Sequence, residues 1–171
     1  MADILEKEQK LLHTLMMEMI SFDTAEPKRI QHFIGVHSLA RTIAYAENAN
    51  KKAQIIIEAA AILHSIGALP AMRKHGKCDK KLVDKEGAKY ARALLNEVGF
   101  SDDTTERVVW LIEHFHDTEQ AKTFDHQVLI EAEMLITMSE QNANEESLRK
   151  ALKEKFKTET GIELLYTMFG L

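Results

Sequence analysis

Apolar residues recur at three- and four-residue spacing along almost the whole chain, and nowhere do they alternate as in a half-buried strand. Residues 4–20 predict a first amphipathic helix through Ile4, Leu5, Leu11, Leu12, Leu15, Met16 and Met19. SFDTAEP interrupts the pattern, and Pro27 suits the first turn of a second helix running to about residue 48. Ile30, Phe33, Ile34, His37, Ala40, Arg41 and Ala44 share one side of it, with His32 nearer the edge of that face. Residues 51–69 predict a third helix, stopped by Gly67 and Pro70. Its run IIIEAAAILHSIGAL is apolar nearly all round, the mark of a central, buried helix. Further helices are expected over residues 86–98, closed by Gly99, and from a Ser101 cap into EHFHD at 113–117. Others follow over 125–140, 145–157 and 159–169, the last with Thr158 as its cap. The expected fold is all-α, one domain over residues 1–171 built as a bundle of about seven or eight helices, with no linker and no internal repeat.

Composition agrees. The 171 residues are 45% hydrophobic with only 7 Gly and 2 Pro, and a chain of this length buries about 70% of its extended surface without a disulfide staple. The single cysteine, Cys78, fits a reducing, cytoplasmic setting. No apolar run approaches the ~20 residues of a membrane span and the start lacks a signal-peptide core, so no membrane partner is expected. A net charge of −5 argues against a nucleic-acid polymer as partner. Residues 70–85 reverse that charge locally: Arg73, Lys74, Lys77, Lys80, Lys81 and Lys85 face only Asp79 and Asp84. This stretch reads as a long irregular loop, either simply solvated or a lid that meets phosphate oxygens.

Three ionisable groups fall on apolar helix faces: His37, His64 and Glu133. One such histidine is a packing detail, but two with a carboxylate on a third helix suggest a metal site in a bundle core, since charges inside are paired or coordinating. Imidazole with carboxylate suits Zn, Fe, Mn or Ni. His13 and the methionines of the first helix read as packing, Trp110 as core or near-core, and His75 and His126 as exposed. Glu131, two residues before Glu133, points elsewhere on its helix.

The runs RIQHFIGVHSLARTIAYAEN, AAILHSIGALPAMRKHG, EGAKYARALLNEVGF, RVVWLIEHFHD, DHQVLIEAEML and KTETG resemble, in order and spacing, the HD-domain superfamily of metal-dependent phosphohydrolases. The similarity covers residues ~28 to ~165. That family carries a first His, then a His-Asp pair ending a helix, then a later Asp. By resemblance, His37 matches the first His, His64 the His of the pair and Glu133 the later Asp, and these three are the expected metal ligands. The resemblance also implies His64, His114 and His116 as catalytic residues, the last two in the segment that supplies extra histidines in many members. It implies a divalent cofactor (Mn, Fe, Ni, Zn, Co or Mg) and a small phosphorylated molecule as partner, a nucleotide or other phosphate ester. Arg73, Lys74 and Lys77 are the expected contacts to it.

Ser65 stands where the family has the Asp of the pair, Glu133 where it has the final Asp, and Ala68 where a Lys often follows the Gly. Two divalent ions would bring a charge of +4 against one carboxylate, so a single metal is expected unless Asp117, Glu113, Glu86 or Asp84 contributes. Two readings stay open: a single-metal phosphohydrolase, or a degenerate member that keeps the pocket to bind a phosphorylated ligand or a protein partner. The acidic first helix and the last helix are the candidate surface for a homo-oligomer.

Overall fold

A computed structural model of the chain describes residues 2–117 and 122–171, with side chains from residue 6 onward. The expected contributions of Ile4 and Leu5 lie outside the described side chains. Nine helices and no strand occur among the described residues: α1 (Ala2–Phe22), α2 (Pro27–Ala46), α3 (Lys51–Leu63), α4 (Ala68–His75), α5 (Lys80–Val98), α6 (Asp102–Glu113), α7 (Phe124–Glu140), α8 (Glu145–Glu154) and α9 (Glu159–Phe169).

The bundle is organised around α3, whose residues Ile55 to Leu63 are all buried. It packs against α1, α2, α6 and α7. Together α3 and α4 are long and apolar enough to cross a membrane, contrary to the expectation from sequence, but 78% of their most apolar window lies inside the fold. The apolar character is that of a core helix covered by its neighbours.

The third helix ends at Leu63, short of the predicted residue 69, and a separate helix, α4, begins at Ala68 and runs into the stretch read as a loop. Pro70 has no N–H to give the carbonyl of Ile66, so the helix loses its ladder there. The chain turns through residues 64–67 and restarts as α4 with Pro70 in its first turn, where a missing N–H costs nothing. The basic stretch is more ordered than its composition suggests. α4 runs to His75 and α5 begins at Lys80, leaving only residues 76–79 between helices. Asp79 explains the early start of α5, its carboxylate accepting the Leu82 N–H as a cap.

The predicted caps are in place. Ser101 accepts from Thr104 N and Thr158 from Gly161 N, while Gly99 closes α5 at φ +97°. Two glycines act by close approach. A Cβ on Gly67 would stand 2.0 Å from the Val83 carbonyl oxygen, so only glycine lets the turn after α3 lie against α5. A Cβ on Gly35 would meet Ile136 Cδ1 at 2.9 Å, which marks how closely α2 and α7 approach.

Buried Glu131 fastens α9. It accepts the backbone N–H groups of Lys157 (2.7 Å) and Thr158 (3.0 Å), the Thr158 hydroxyl, and Gln127 Nε2 (2.6 Å). It therefore points away from Glu133, as expected, and Gly161 makes room for it, since a Cβ there would lie 1.9 Å from Glu131 Oε2. Trp110 is part-buried against the core between Arg107 and His114. His126 is the reverse of its expectation. It is fully buried, and its Nε2 lies 3.1 Å from the His114 carbonyl and 3.3 Å from that of Phe115, fastening the turn after α6.

Candidate metal centre

Three donor atoms from three helices meet where α3 ends. His32 Nε2 of α2 lies 3.2 Å from His64 Nε2 and 3.0 Å from Glu133 Oε2 of α7, and His64 Nε2 lies 3.1 Å from the same oxygen. Among the described residues this is the one group of three or more His, Cys, Asp or Glu side chains close enough to hold an ion together.

Each member is aimed by a second contact. His64 is 5% exposed, and its Nδ1 donates to the Ala61 carbonyl at 2.7 Å, which leaves the Nε2 lone pair facing the centre. His32 Nδ1 donates to the Glu140 carboxylate at 3.0 and 3.1 Å, with the same effect on its Nε2. Thr137 donates its hydroxyl to Glu133 Oε1 at 2.9 Å, so the other carboxylate oxygen turns inward. Glu133, Thr137 and Glu140 fall at i, i+4 and i+7 on α7, so one helical stripe supplies one donor of the cluster and two of the three contacts that aim its members.

Electrostatics agree with this geometry. Burial pushes the Glu133 carboxyl up, but the hydrogen bonds and charges of His32 and His64 overcome it and hold the group well below the ordinary carboxylate range. The hydrogen bond to Glu133 raises the pKa of His32, with burial opposing and Glu140 adding to the rise. The cluster therefore holds a proton readily, and an ion bound here must displace it.

The donor set fits a divalent metal. Two imidazole nitrogens and one carboxylate oxygen are a standard borderline set, and edges of 3.0–3.2 Å are those between neighbouring ligands on an ion with bonds of about 2.0–2.2 Å. Ser65 is beside it, and its hydroxyl oxygen is buried without a hydrogen-bond partner among the described residues. Its carbonyl accepts from Arg29 Nη2 at 3.1 Å, and Arg29 pairs with fully buried Asp23 at 3.2 Å. A cleft of about 550 Å³ opens beside the cluster, lined by Lys28, Arg29, Gln31, His32, Ser65 and Glu140.

Of the three ligands expected from sequence, the fold brings His64 and Glu133 together but not His37. The His37 ring faces the opposite flank of α2, its Nε2 3.0 Å from buried Glu58. The buried stripe of α2 is Phe33, Val36, Ala40, Ile43 and Ala44, and the two histidines flank it on either side. Periodicity alone could not choose between flanks. The available signal was Glu58, a carboxylate inside an apolar run, which needs a partner; His37 and Arg41 supply it.

Other expected residues lie apart from the cluster. His114 stacks on Trp110 at 4.4 Å and gives its Nδ1 hydrogen to the Trp110 carbonyl. His116 is held by Asp84, Nδ1 to Oδ1 at 2.6 Å, beside a separate cleft lined by Lys80, Lys81 and Lys85. Lys74 is drawn to Glu86 at 2.7 Å and Lys77 to Asp79 at 3.2 Å, while Arg73 is exposed on α4. None of the three basic residues lines the cleft at the cluster; Lys28 and Arg29 do. Glu86 and Asp84, candidates for a second ion, are committed to Lys74 with Lys89 and to His116. A further cleft, about 800 Å³, lies among Asn50, Arg107, Trp110 and Phe124 at the far end of α3 and does not touch the cluster.

An all-α bundle that turns two imidazoles and a carboxylate inward at the end of its central helix carries a donor set that could hold a metal, as helical bundles with metal sites do. The chain belongs to the HD-domain family, whose profile matches residues 29–159. Its fold is similar to the crystal structure of a predicted HD superfamily hydrolase from an uncultured Thermotogales bacterium. That protein is 22% identical, with a TM-score of 0.63 over 95% of this chain and 84% of the other. No curated protein matches the chain.

Proposed function

We propose that this protein is a single-metal phosphohydrolase acting on a small phosphate ester, with His32, His64 and Glu133 as the metal ligands. The observation that carries the reading is the convergence of those three donor atoms at the edge of an open cleft. When bound, the ion supplies Lewis acidity to a phosphoryl oxygen and lowers the pKa of a water toward neutrality.

The chain's own residues do the rest. Thr137 and Glu140 hold the ligands in their binding orientation. Lys28 and Arg29 present positive charge to an anionic substrate, and Arg29 is itself fixed by Asp23 and the Ser65 carbonyl. Glu133 is the single carboxylate in the set, so its one negative charge offsets half the charge of one divalent ion and only a quarter of that of two.

The test is elemental analysis of protein purified without chelator, followed by a phosphatase screen with Mn, Ni, Co and Mg. The expected result is close to one divalent ion per chain and metal-dependent phosphate release. His32→Ala abolishes both, while His37→Ala keeps the ion. Retention of the ion by His32→Ala refutes the ligand assignment.

A second reading has its own observation. Ser65 occupies the place of the family's motif Asp, and its hydroxyl has no partner. On that reading the pocket binds a phosphorylated ligand without turning it over, and Ser65→Asp creates a metal-dependent activity the parent lacks.

A further inference from the structure

We infer that the cleft beside the cluster takes a small polyhydroxylated phosphate monoester, a sugar or polyol phosphate, and rejects nucleotides. The inference rests on the reading above that this site handles a phosphate ester, and it narrows the substrate class.

The argument comes from what lines the cleft. Lys28, Arg29, Gln31, His32, Ser65 and Glu140 include no aliphatic and no carbocyclic aromatic side chain. Binding a nucleobase relies on an apolar or aromatic surface, and stacking on an aromatic ring contributes about 1–3 kcal/mol per base. Phe115, which packs beside His64, is only 6% exposed, and Phe33, next to His32 in α2, is fully buried. The His32 ring offers little platform, since its side chain is 18% exposed and leans on His64 at 5.3 Å between centroids. Exposed aromatics lie elsewhere. Tyr45 is thirteen residues further along α2, about 20 Å away, and Phe124 lines the cleft at the far end of α3.

The same lining suits hydroxyl groups and phosphate. The Gln31 amide offers two donors and an acceptor, and the Glu140 carboxylate keeps lone pairs beyond those used by His32. Lys28 pairs with no carboxylate among the described residues, which leaves its ammonium for a phosphate dianion. The Ser65 hydroxyl is a buried polar atom in the cleft wall with no hydrogen-bond partner among the described residues. A volume of about 550 Å³ lies within the ~300–1,000 Å³ of small-molecule sites.

Ribose 5-phosphate and AMP make a matched pair, since they share the sugar and phosphate and differ by the base. Calorimetric titration of the full chain loaded with Mn²⁺ is expected to show ribose 5-phosphate binding at least tenfold more tightly than AMP. Gln31→Ala is expected to weaken ribose 5-phosphate severalfold while leaving inorganic phosphate unchanged, and Lys28→Ala to weaken all three. AMP binding as tightly as ribose 5-phosphate, or more tightly, overturns the inference, whether or not phosphate is released. Ribose 5-phosphate bound with the expected preference but never hydrolysed supports the inference and refutes hydrolysis. Absence of binding by all three probes overturns both.

Discussion

Replacing Gly67 with alanine tests the link between helix packing and the metal centre. The backbone there is right-handed, φ −75° and ψ −13°, so alanine meets no conformational objection. The objection is steric. The new Cβ would lie 2.0 Å from the Val83 carbonyl oxygen, 2.5 Å from Gly87 N and 2.8 Å from Gly87 Cα, against 3.4–4 Å for ordinary contact. Those atoms are backbone and no side chain can swing aside, so the turn and α5 must separate by about an ångström or more. Overpacking typically costs about 1–3 kcal/mol, and a backbone obstacle places this case at or just above the top, about 3–4 kcal/mol. Gly76→Ala is the control: φ is +69° and nothing lies within 4 Å, so only the left-handed penalty of about 1 kcal/mol applies. With a urea m-value of about 2 kcal/mol/M, Gly67→Ala lowers the unfolding midpoint by about 1.5–2 M and Gly76→Ala by about 0.5 M. Because Gly67 lies three residues beyond His64, Mn²⁺ affinity by calorimetry falls in the first variant only. Equal midpoint shifts, or a loss under 0.5 M at Gly67, would refute the steric reasoning.

Other outcomes follow from the same contacts. Glu131→Ala leaves the buried Thr158 N–H and its neighbours unpaired and costs about 2–4 kcal/mol. At 2–4 °C per kcal/mol, Tm falls by about 5–15 °C, and hydrogen exchange shows α9 opening first; a uniform rise in exchange along the chain contradicts this. Glu86 is held down to about 2, from 4.5, by hydrogen bonds from Lys74 and Lys89, with burial opposing. A depressed carboxylate stabilises the fold above its unfolded pKa and loses that contribution as pH falls, so stability declines between about pH 4.5 and 2. Glu86→Gln should flatten that part of the urea-midpoint profile, and an unchanged slope argues against the pairing. Glu140→Leu removes the acceptor that holds the His32 Nδ1 hydrogen and lowers Mn²⁺ affinity about 10–100-fold, while thermal stability changes little. Unaltered affinity in that variant means Glu140 does not aim His32.

Much of the fold was legible in the order of residues because helix periodicity, caps and breakers are local effects. Pro27, Ser101, Gly99 and Thr158 mark boundaries where the structure has them, since each acts on backbone within a turn of itself. Gly67 and Pro70 mark the end of the central helix, but the restart as α4 at the head of a basic stretch that reads as a loop depends on its packing against α5. The burial of His126 is not legible locally, since its partners, the carbonyls of His114 and Phe115, lie at the end of another helix.

The candidate metal centre divides the same way. Periodicity by itself put His64 and Glu133 on apolar helix faces, and the family resemblance paired them. Tertiary structure alone decided that His32 completes the cluster while His37 answers Glu58. Both histidines flank one buried stripe, and a one-helix pattern cannot tell which flank meets α7 and which meets α3. That choice depends on how α2 lies against its neighbours, where glycine at position 35 lets α7 come close enough for Glu133 and Glu140 to reach one imidazole.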